Sequence, residues 1–490
     1  MASNPKTRFR RHVRSFVMIW TGLTIAIAAA TFIAIYITYE TFDPAGGRGA
    51  LDLRDVSLPD PTNPFALDPS AATANAALLL ATQVRSTADA QYAALTATAL
   101  AQDAADKITP TADAPTAETL ARSTVVETQP PLAVSRFELG VQVQVSYDNM
   151  AQWMNVAANQ LDVNWVKMQV RWRDIEPQPD VYDWFVTDTY LPAARDQGLR
   201  VLVSVVTAPD WAREPGVDLA RTGPPADPQQ YADFVAALLR RYPAMIHAVE
   251  VWNEQNLDRE WTSVDGLRAE DYVELLRVAY TAIKTVDPNV IVVSGALAPT
   301  GVSDGVSAWD DFVYMDQLIA AGMLNYADCI GAHHNGINVS PAYTWDAVPN
   351  NPNAIFRGPF DNPHHSWSFR STLQAYASKI ALGGGQQKLC VTEFGWASAQ
   401  GLDGYPPGFE FAADNSLDDQ RDYTVLALDF MRDSDAVRLA ILWNLNYGAQ
   451  AGWSADNDNV AYSIIGPGFA FRPVFDAVRD WNRNYEAAFN

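Results

Sequence analysis

From about residue 132 to the end of the chain, short apolar runs of strand length alternate with longer amphipathic runs of helical period, and this alternation constrains the fold more than any other feature. Strands separated by helices cannot close hairpins. They pair in parallel, with the helix serving as the crossover. Eight strand-like runs can be counted, over 137–143, 165–170, 200–206, 248–252, 290–294, 329–332, 389–392 and 439–443. Helical stretches such as 229–241, 269–286 and 418–432 lie between them. Eight such units in about 360 residues fit a (β/α)8 barrel with insertions. A doubly wound sheet is the alternative, but no glycine-rich phosphate turn follows the first run, so the barrel is the expected fold.

The first 131 residues have a different character. Lys6, Arg8, Arg10, Arg11 and Arg14 precede any acidic residue, and an apolar run follows over 16–39. A bilayer-spanning helix needs roughly 20 such residues, and a basic flank stays on the cytoplasmic side. The pattern predicts a cytoplasmic tail over 1–15 and a transmembrane signal anchor over 16–39. A cleaved signal peptide is the rival reading, with Ala28, Ala29 and Ala30 as small residues, but the apolar run continues well past them. Residues 40–131 are rich first in Asp and Pro, then in Ala and Thr, as in an extracellular linker that holds residues 132–490 off the membrane.

A net charge of −23 excludes nucleic acid as a partner, since that needs a basic face, and leaves neutral ligands open. An apolar fraction of 48% and 15 tryptophans are ample for a large core. Cys329 and Cys390 are the two cysteines. Cys329 shares strand parity with His333, whereas Cys390 has the opposite parity to Glu393. If both sites face the barrel mouth, the thiols point to different sides of the wall. Both are therefore expected to be small buried residues and not a bridge.

The chemistry is carried by two strand ends. The run from Val249 through Glu250, Val251, Trp252, Asn253 and Glu254 to Gln255 places Glu250, Trp252 and Glu254 on one face at period two. It ends in a carboxylate where barrel enzymes place their reactive groups. The run Leu389, Cys390, Val391, Thr392, Glu393 ends the same way. Two glutamates at two strand ends are what glycoside hydrolysis by paired carboxylates requires. Glu250, one pleat deeper, is expected to be structural and to need a cation, with Lys167 or Arg200 on neighbouring strands available.

Trp252-Asn253-Glu254 at the fourth strand and Thr392-Glu393-Phe394-Gly395-Trp396 at the seventh resemble the motifs of clan A glycoside hydrolases. The resemblance also takes in Trp172-Arg173-Asp174-Ile175-Glu176-Pro177, Asp183-Trp184 and the closing Arg472-Pro473, and covers most of 132–490. Its look is that of the cellulase-like and xylosidase-like members. It implies that Glu254 is the general acid/base and Glu393 the nucleophile of a retaining mechanism. It further implies that Asn253 hydrogen-bonds a sugar 2-hydroxyl and that Trp443, at the end of the eighth strand, is a sugar platform.

Three positions depart from that pattern. Lys167 stands where an arginine is usual near the nucleophile, giving a point charge without the planar fork. His333-His334-Asn335 replaces His-x-Tyr at the sixth strand, so that Asn335, or Tyr343 folding back, would stand in for the phenol. Gln255 replaces a commoner proline. His333 is expected to touch sugar. Adjacent strand residues face opposite sides, so His333 and His334 do not form a zinc site. Asp456-Asn457-Asp458-Asn459 resembles the start of a calcium loop but lacks its glycine and terminal glutamate. No metal or cofactor is expected. Trp211 and Trp396 follow strand ends, where an aromatic face can stack on a pyranose. The segment 334–370 is too long for an ordinary connector and is expected to wall the cleft. These features predict a membrane-anchored extracellular glycosidase acting on a β-linked glycan. A barrel that binds sugar without turnover, or a transglycosidase, would share most of them.

Overall fold

Parallel pairing with helical crossovers is what the structure shows. In the computed structural model, which describes residues 136–357 and 364–489, eight strands form one parallel sheet. They are β1 (Glu138–Gln142), β2 (Trp165–Arg171), β3 (Arg200–Val206), β4 (Ala248–Val251), β5 (Ile291–Ser294), β6 (Ile330–Gly336), β7 (Leu389–Trp396) and β8 (Val437–Leu442). The hydrogen-bonded order is β5-β4-β3-β2-β1-β8-β7-β6. Bridges from Val293 to Cys329 and from Leu297 to Ala332 join the two ends, which makes the sheet a barrel. Each strand is followed by a principal helix: α1 (Met150–Asn155), α2 (Phe185–Asp196), α3 (Pro228–Arg241), α4 (Ala269–Val286), α5 (Asp311–Ala320), α6 (Phe369–Leu382), α7 (Leu417–Ser434) and α8 (Pro473–Ala487). The 1–15 tail, the apolar run over 16–39 and the linker over 40–131 lie outside the described residues. Among the described residues, no helix is long and apolar enough to cross a membrane.

The helices start where local chemistry directs. Asp227 caps α3, accepting from the Gln229 amide, and Pro228 fills the first helical position, where no amide bond is lost. Ser416 and Asp419 close a reciprocal capping box on α7. Along α3, Tyr231, Phe234, Val235, Leu238 and Leu239 recur at helical spacing and are buried, while Arg240 and Arg241 complement the negative helix end.

The floor of the barrel is apolar. Trp165, Leu202, Ala248, Ile291, Val293, Cys329, Cys390, Leu439 and Ile441 form one buried cluster, separate from the larger core between strands and helices. Gly140 on β1 makes room for it, since a Cβ there would lie 2.6 Å from Trp165 Cβ and 2.7 Å from Ile441 Cδ1. The two longest departures from the expected strand limits are β6, which continues past Ala332 to Gly336, and β7, which continues to Trp396. The continuations are His333-His334-Asn335-Gly336 and Glu393-Phe394-Gly395-Trp396. Their polar members end an apolar run in sequence but not a hydrogen-bonded ladder in space.

Cys329 and Cys390 form a disulfide, which corrects the expectation of two separate thiols; their Cα atoms are 5.8 Å apart. The parity argument failed because pairing between β6 and β7 shifts register between Ala332 and His333. Ala332 pairs with Val391 but His333 pairs with Glu393, so Thr392 is an extra residue that reverses facing along β7. Cys390 below the bulge and Glu393 above it thus both face the barrel interior. The bridge closes a loop of 61 residues, worth about 4 kcal/mol by chain entropy. The double variant Cys329→Ala/Cys390→Ala is expected to lose about that much in denaturant unfolding. An unchanged stability, together with two alkylatable thiols in the unfolded parent protein, would show that the bridge does not form.

Candidate active site

Side chains from β2, β4, β6 and β7 and from the turn after β4 bring five charged or ionisable groups together above the apolar floor. Lys167 on β2 points inward, its Nζ 3.2 Å from Glu393 Oε1 and 3.4 Å from Glu250 Oε2, and donates to the Thr392 carbonyl. Glu250 is fully buried and further held by the Ser204 hydroxyl, by Thr392 Oγ1 at 2.6 Å and by the Ala296 amide at 3.3 Å. The expected choice of partner is thereby resolved: Lys167 serves Glu250, and Arg200 pairs with Glu138. Burial alone would lower the Lys167 ammonium pKa, but Glu250 and Glu393 outweigh it and leave the pKa raised.

His333 stands between the two candidate catalytic carboxylates. Its Nδ1 is 3.2 Å from Glu254 Oε1 and 3.7 Å from Glu393 Oε2, and its Nε2 is 4.0 Å from Glu250 Oε1. Burial disfavours the imidazolium, yet Glu393 and the hydrogen bond to Glu254 raise the pKa against the opposing charge of Lys167. At 1% exposed, His333 bridges the two carboxylates. His334 faces the other way, edge-on to Phe369, and burial drops its pKa to about 4. Asn335 Nδ2 donates to Glu393 Oε2 at 3.3 Å, so an amide occupies the position discussed for a phenol. Tyr343 is 39% exposed, and its carbonyl accepts from Ser368 Oγ.

Backbone geometry delivers Glu254. Strand β4 ends at Val251, and both Trp252 (φ 76°) and Glu254 (φ 46°) adopt left-handed backbone. Such a conformation is costly for side chains of this size and concentrates at functional sites. Period-two facing is lost at Trp252, which turns away from the barrel axis. Its indole N–H donates to the Glu260 carbonyl and its ring packs edge-on against Trp261. Glu254 is brought back over the mouth by its amide bond to Ala296 O at 2.8 Å. Gln255 anchors the same turn, donating to Gly295 O at 2.8 Å. One oxygen of Glu254 and one of Glu393 lie within 4.8 Å of each other. Asn253 is buried beside them, and its Oδ1 has no hydrogen-bond partner among the described residues.

Arg259 was not anticipated. Its guanidinium pairs with Glu254 Oε2 at 2.5 Å. The turn Leu257 N to Glu254 O, followed by Glu260 N and Trp261 N to Leu257 O, folds the chain back and carries Arg259 over the site. Nothing in the residue spacing marks that reversal.

The tryptophans divide. Trp443 directly follows β8, its amide donating to Phe394 O, and is joined to Asn444 by a cis peptide. Its ring belongs to a cluster with Phe411, Ala461 and Tyr462. Trp396 and Trp211 each have their indole N–H engaged by a backbone carbonyl. Trp396 is 1% exposed, donates to Val339 O, and covers Gly336, where a Cβ would lie 2.3 Å from the indole. Trp211 donates to Glu176 O and packs edge-on against Trp172.

Lys167→Met tests the charge balance. It leaves the Glu250 carboxylate buried without its cation, and a loss of about 3–5 kcal/mol in unfolding free energy is expected. Lys167→Arg keeps a charge and should retain more stability and more turnover than Lys167→Met. Equal stability and equal activity in all three proteins would remove the proposed role of Lys167.

Solved structures that superimpose on this chain include glycoside hydrolases. Over 72% of this chain and 65% of the other, the protein superimposes on a family 39 glycoside hydrolase from the gut symbiont Bacteroides cellulosilyticus WH2, with a TM-score of 0.52 and 17% identity. Over 73% of this chain and 68% of the other, it superimposes on the GH39 enzyme from Xanthomonas axonopodis pv. citri, with a TM-score of 0.50 and 15% identity. The chain thus spans about 65% of the length of the first. No family model matches the sequence, and no curated protein matches it. At these identities the likeness is one of fold.

Proposed function

We propose that this protein is a retaining glycosidase acting on a β-linked poly- or oligosaccharide outside the cell. The observation that carries the reading is the placement of Glu254 and Glu393, from β4 and β7, with oxygens within 4.8 Å. Retention uses carboxyl groups about 5–5.5 Å apart, too close for a water molecule to attack from the opposite face. In this reading Glu393 attacks the anomeric carbon while Glu254 protonates the departing oxygen, and Glu254 then takes a proton from the water that releases the sugar. Lys167 and Asn335 hold Glu393 as the attacking carboxylate, each with one of its oxygens. The unpartnered Asn253 Oδ1 is an acceptor for a sugar hydroxyl. Trp443 would provide the platform beneath the ring.

Export is supported by two independent features. The basic flank and apolar run over 16–39 have the pattern of a signal anchor. The Cys329–Cys390 bridge is of a kind that forms in oxidising compartments. A second reading, a barrel that binds sugar without turnover, is favoured by Arg259, whose guanidinium occupies Glu254 Oε2, one of the two oxygens through which a general acid would serve the departing sugar oxygen. Incubating the full chain with a panel of β-glucans, xylans and mannans separates the two. Cleavage with first-formed products in the β configuration is expected. Binding without cleavage across the panel would establish the second reading, and α-configured first products would exclude retention.

A further inference from the structure

We propose that Asp310, Asp311, His364 and His365 form a binding site for a divalent transition-metal ion of the zinc type, outside the carboxylate pair. The four residues come from two places. Asp310 and Asp311 stand at the start of α5, and His364 and His365 lie at the end of the long connection from β6 to α6. Donor atoms from Asp310, His364 and His365 all lie within 4.8 Å of one another. In detail, His365 Nε2 is 3.2 Å from Asp310 Oδ2 and 3.1 Å from Asp311 Oδ1, and His364 Nε2 is 3.7 Å from Asp310 Oδ2. Four ligands at about 2.0–2.1 Å around a tetrahedral ion are spaced about 3.3–3.4 Å apart. Three of the six edges stand at 3.1–3.7 Å here, and they bracket that value; Asp310, His364 and His365 form the mutually close set, and Asp311 joins it through His365.

Each ligand is already oriented from behind, as metal ligands require. Asp310 Oδ1 is committed to the helix, accepting from the Phe312 and Val313 amides, which turns Oδ2 toward the histidines. Asp311 Oδ2 accepts from Tyr376 Oη at 2.8 Å, and its Oδ1 also meets the Thr300 amide at 3.2 Å. The His365 ring is stacked on Phe312 with centroids 3.7 Å apart. His364 Nδ1 accepts from the Ser366 amide at 3.2 Å and lies 3.0 Å from Ser366 Oγ. Binding an ion through Nε2 would require the other tautomer, with Nδ1–H turned to donate to the Ser366 hydroxyl in place of the amide contact.

Charge points the same way. Asp310 is 8% exposed and Asp311 fully buried, and their ion pairs are all with histidine. A divalent ion among these carboxylates would supply cationic charge, bound by neutral imidazole rings. Glu254, His333 and Glu393 satisfy the same proximity, but there Lys167 and Arg259 already supply cationic charge. The ion would fasten the end of the connection that follows β6, the strand carrying Asn335, to the head of α5.

The test uses the full-length chain, stripped with chelator and titrated with Co2+ by visible absorption and with Zn2+ by calorimetry. One equivalent of Co2+ with the intense absorption of a tetrahedral site is expected, with tight Zn2+ binding and a raised Tm. Asp310→Asn keeps a competent helix cap and removes an anionic ligand. It and His364→Ala should each weaken Zn2+ binding about tenfold or more. Absence of a tetrahedral spectrum at one equivalent, or unchanged affinity in both variants, overturns the proposal. Glu393→Gln should bind Zn2+ as the parent does, and loss of binding there would place the ion at the carboxylate pair and also overturn it.

Discussion

Glu393→Gln is expected to abolish turnover, by about 10⁴-fold or more, while leaving the fold and sugar binding in place. The carboxamide is isosteric but has a single acceptor oxygen, so it keeps the bond from Lys167 or from Asn335 and not both, and it cannot form a glycosyl ester with a leaving group of useful quality. Its charge is also gone, which removes one of the two carboxylates facing Lys167. Lys167 keeps Glu250, so the barrel interior stays balanced and stability should change little. This separates chemistry from structure, because Lys167→Met strips Glu250 of its cation and should lower stability. Full activity in Glu393→Gln, measured on any glycan the parent cleaves, would remove the nucleophile assignment. Loss of folding in Glu393→Gln would show instead that the Lys167–Glu393 pair is structural.

The barrel was legible because apolar runs and helical periods persist over hundreds of residues, and each repeats the same physical demand. The carboxylates were legible for a related reason: an apolar strand that ends in Asn-Glu or Thr-Glu exposes a polar side chain at a defined edge. The resemblance to clan A glycoside hydrolases places Lys167 near Glu393, and the structure puts its ammonium 3.2 Å away. What the sequence hid were breaks of periodicity. The extra residue at Thr392 reverses facing along β7, which concealed the Cys329–Cys390 bridge. The left-handed backbone at Trp252 sends a bulky ring out of a face that strict alternation assigns to the interior. Arg259 reaches Glu254 through a chain reversal, and His364 and His365 reach Asp310 across a long connection. Such contacts depend on tertiary closure, for which the local pattern holds no record.

Glu254→Ala should divide substrates by leaving group. A glycan or alkyl glycoside leaves as an alkoxide unless protonated, so its hydrolysis should fall by about 10²–10⁴-fold. An activated aryl glycoside departs without that proton, and its glycosyl-enzyme ester on Glu393 should form at a rate near that of the parent. The ester then waits, because the water that would release it has lost its base. Azide needs no base. The substitution also leaves the Arg259 guanidinium facing the space vacated by the carboxylate it paired with at 2.5 Å, a cation that attracts a small anion to the right face. Added azide is therefore expected to restore turnover of the aryl glycoside and to yield a glycosyl azide of the β configuration, the same as the substrate. Two inversions, one at Glu393 and one by azide, give that outcome. A single direct displacement on the β-glycoside would give the α-azide, and its detection by NMR would rule out the covalent intermediate. If azide has no effect and aryl and alkyl substrates suffer equally, Glu254 is not the proton donor, and its pairing with Arg259 is a structural feature of the cleft.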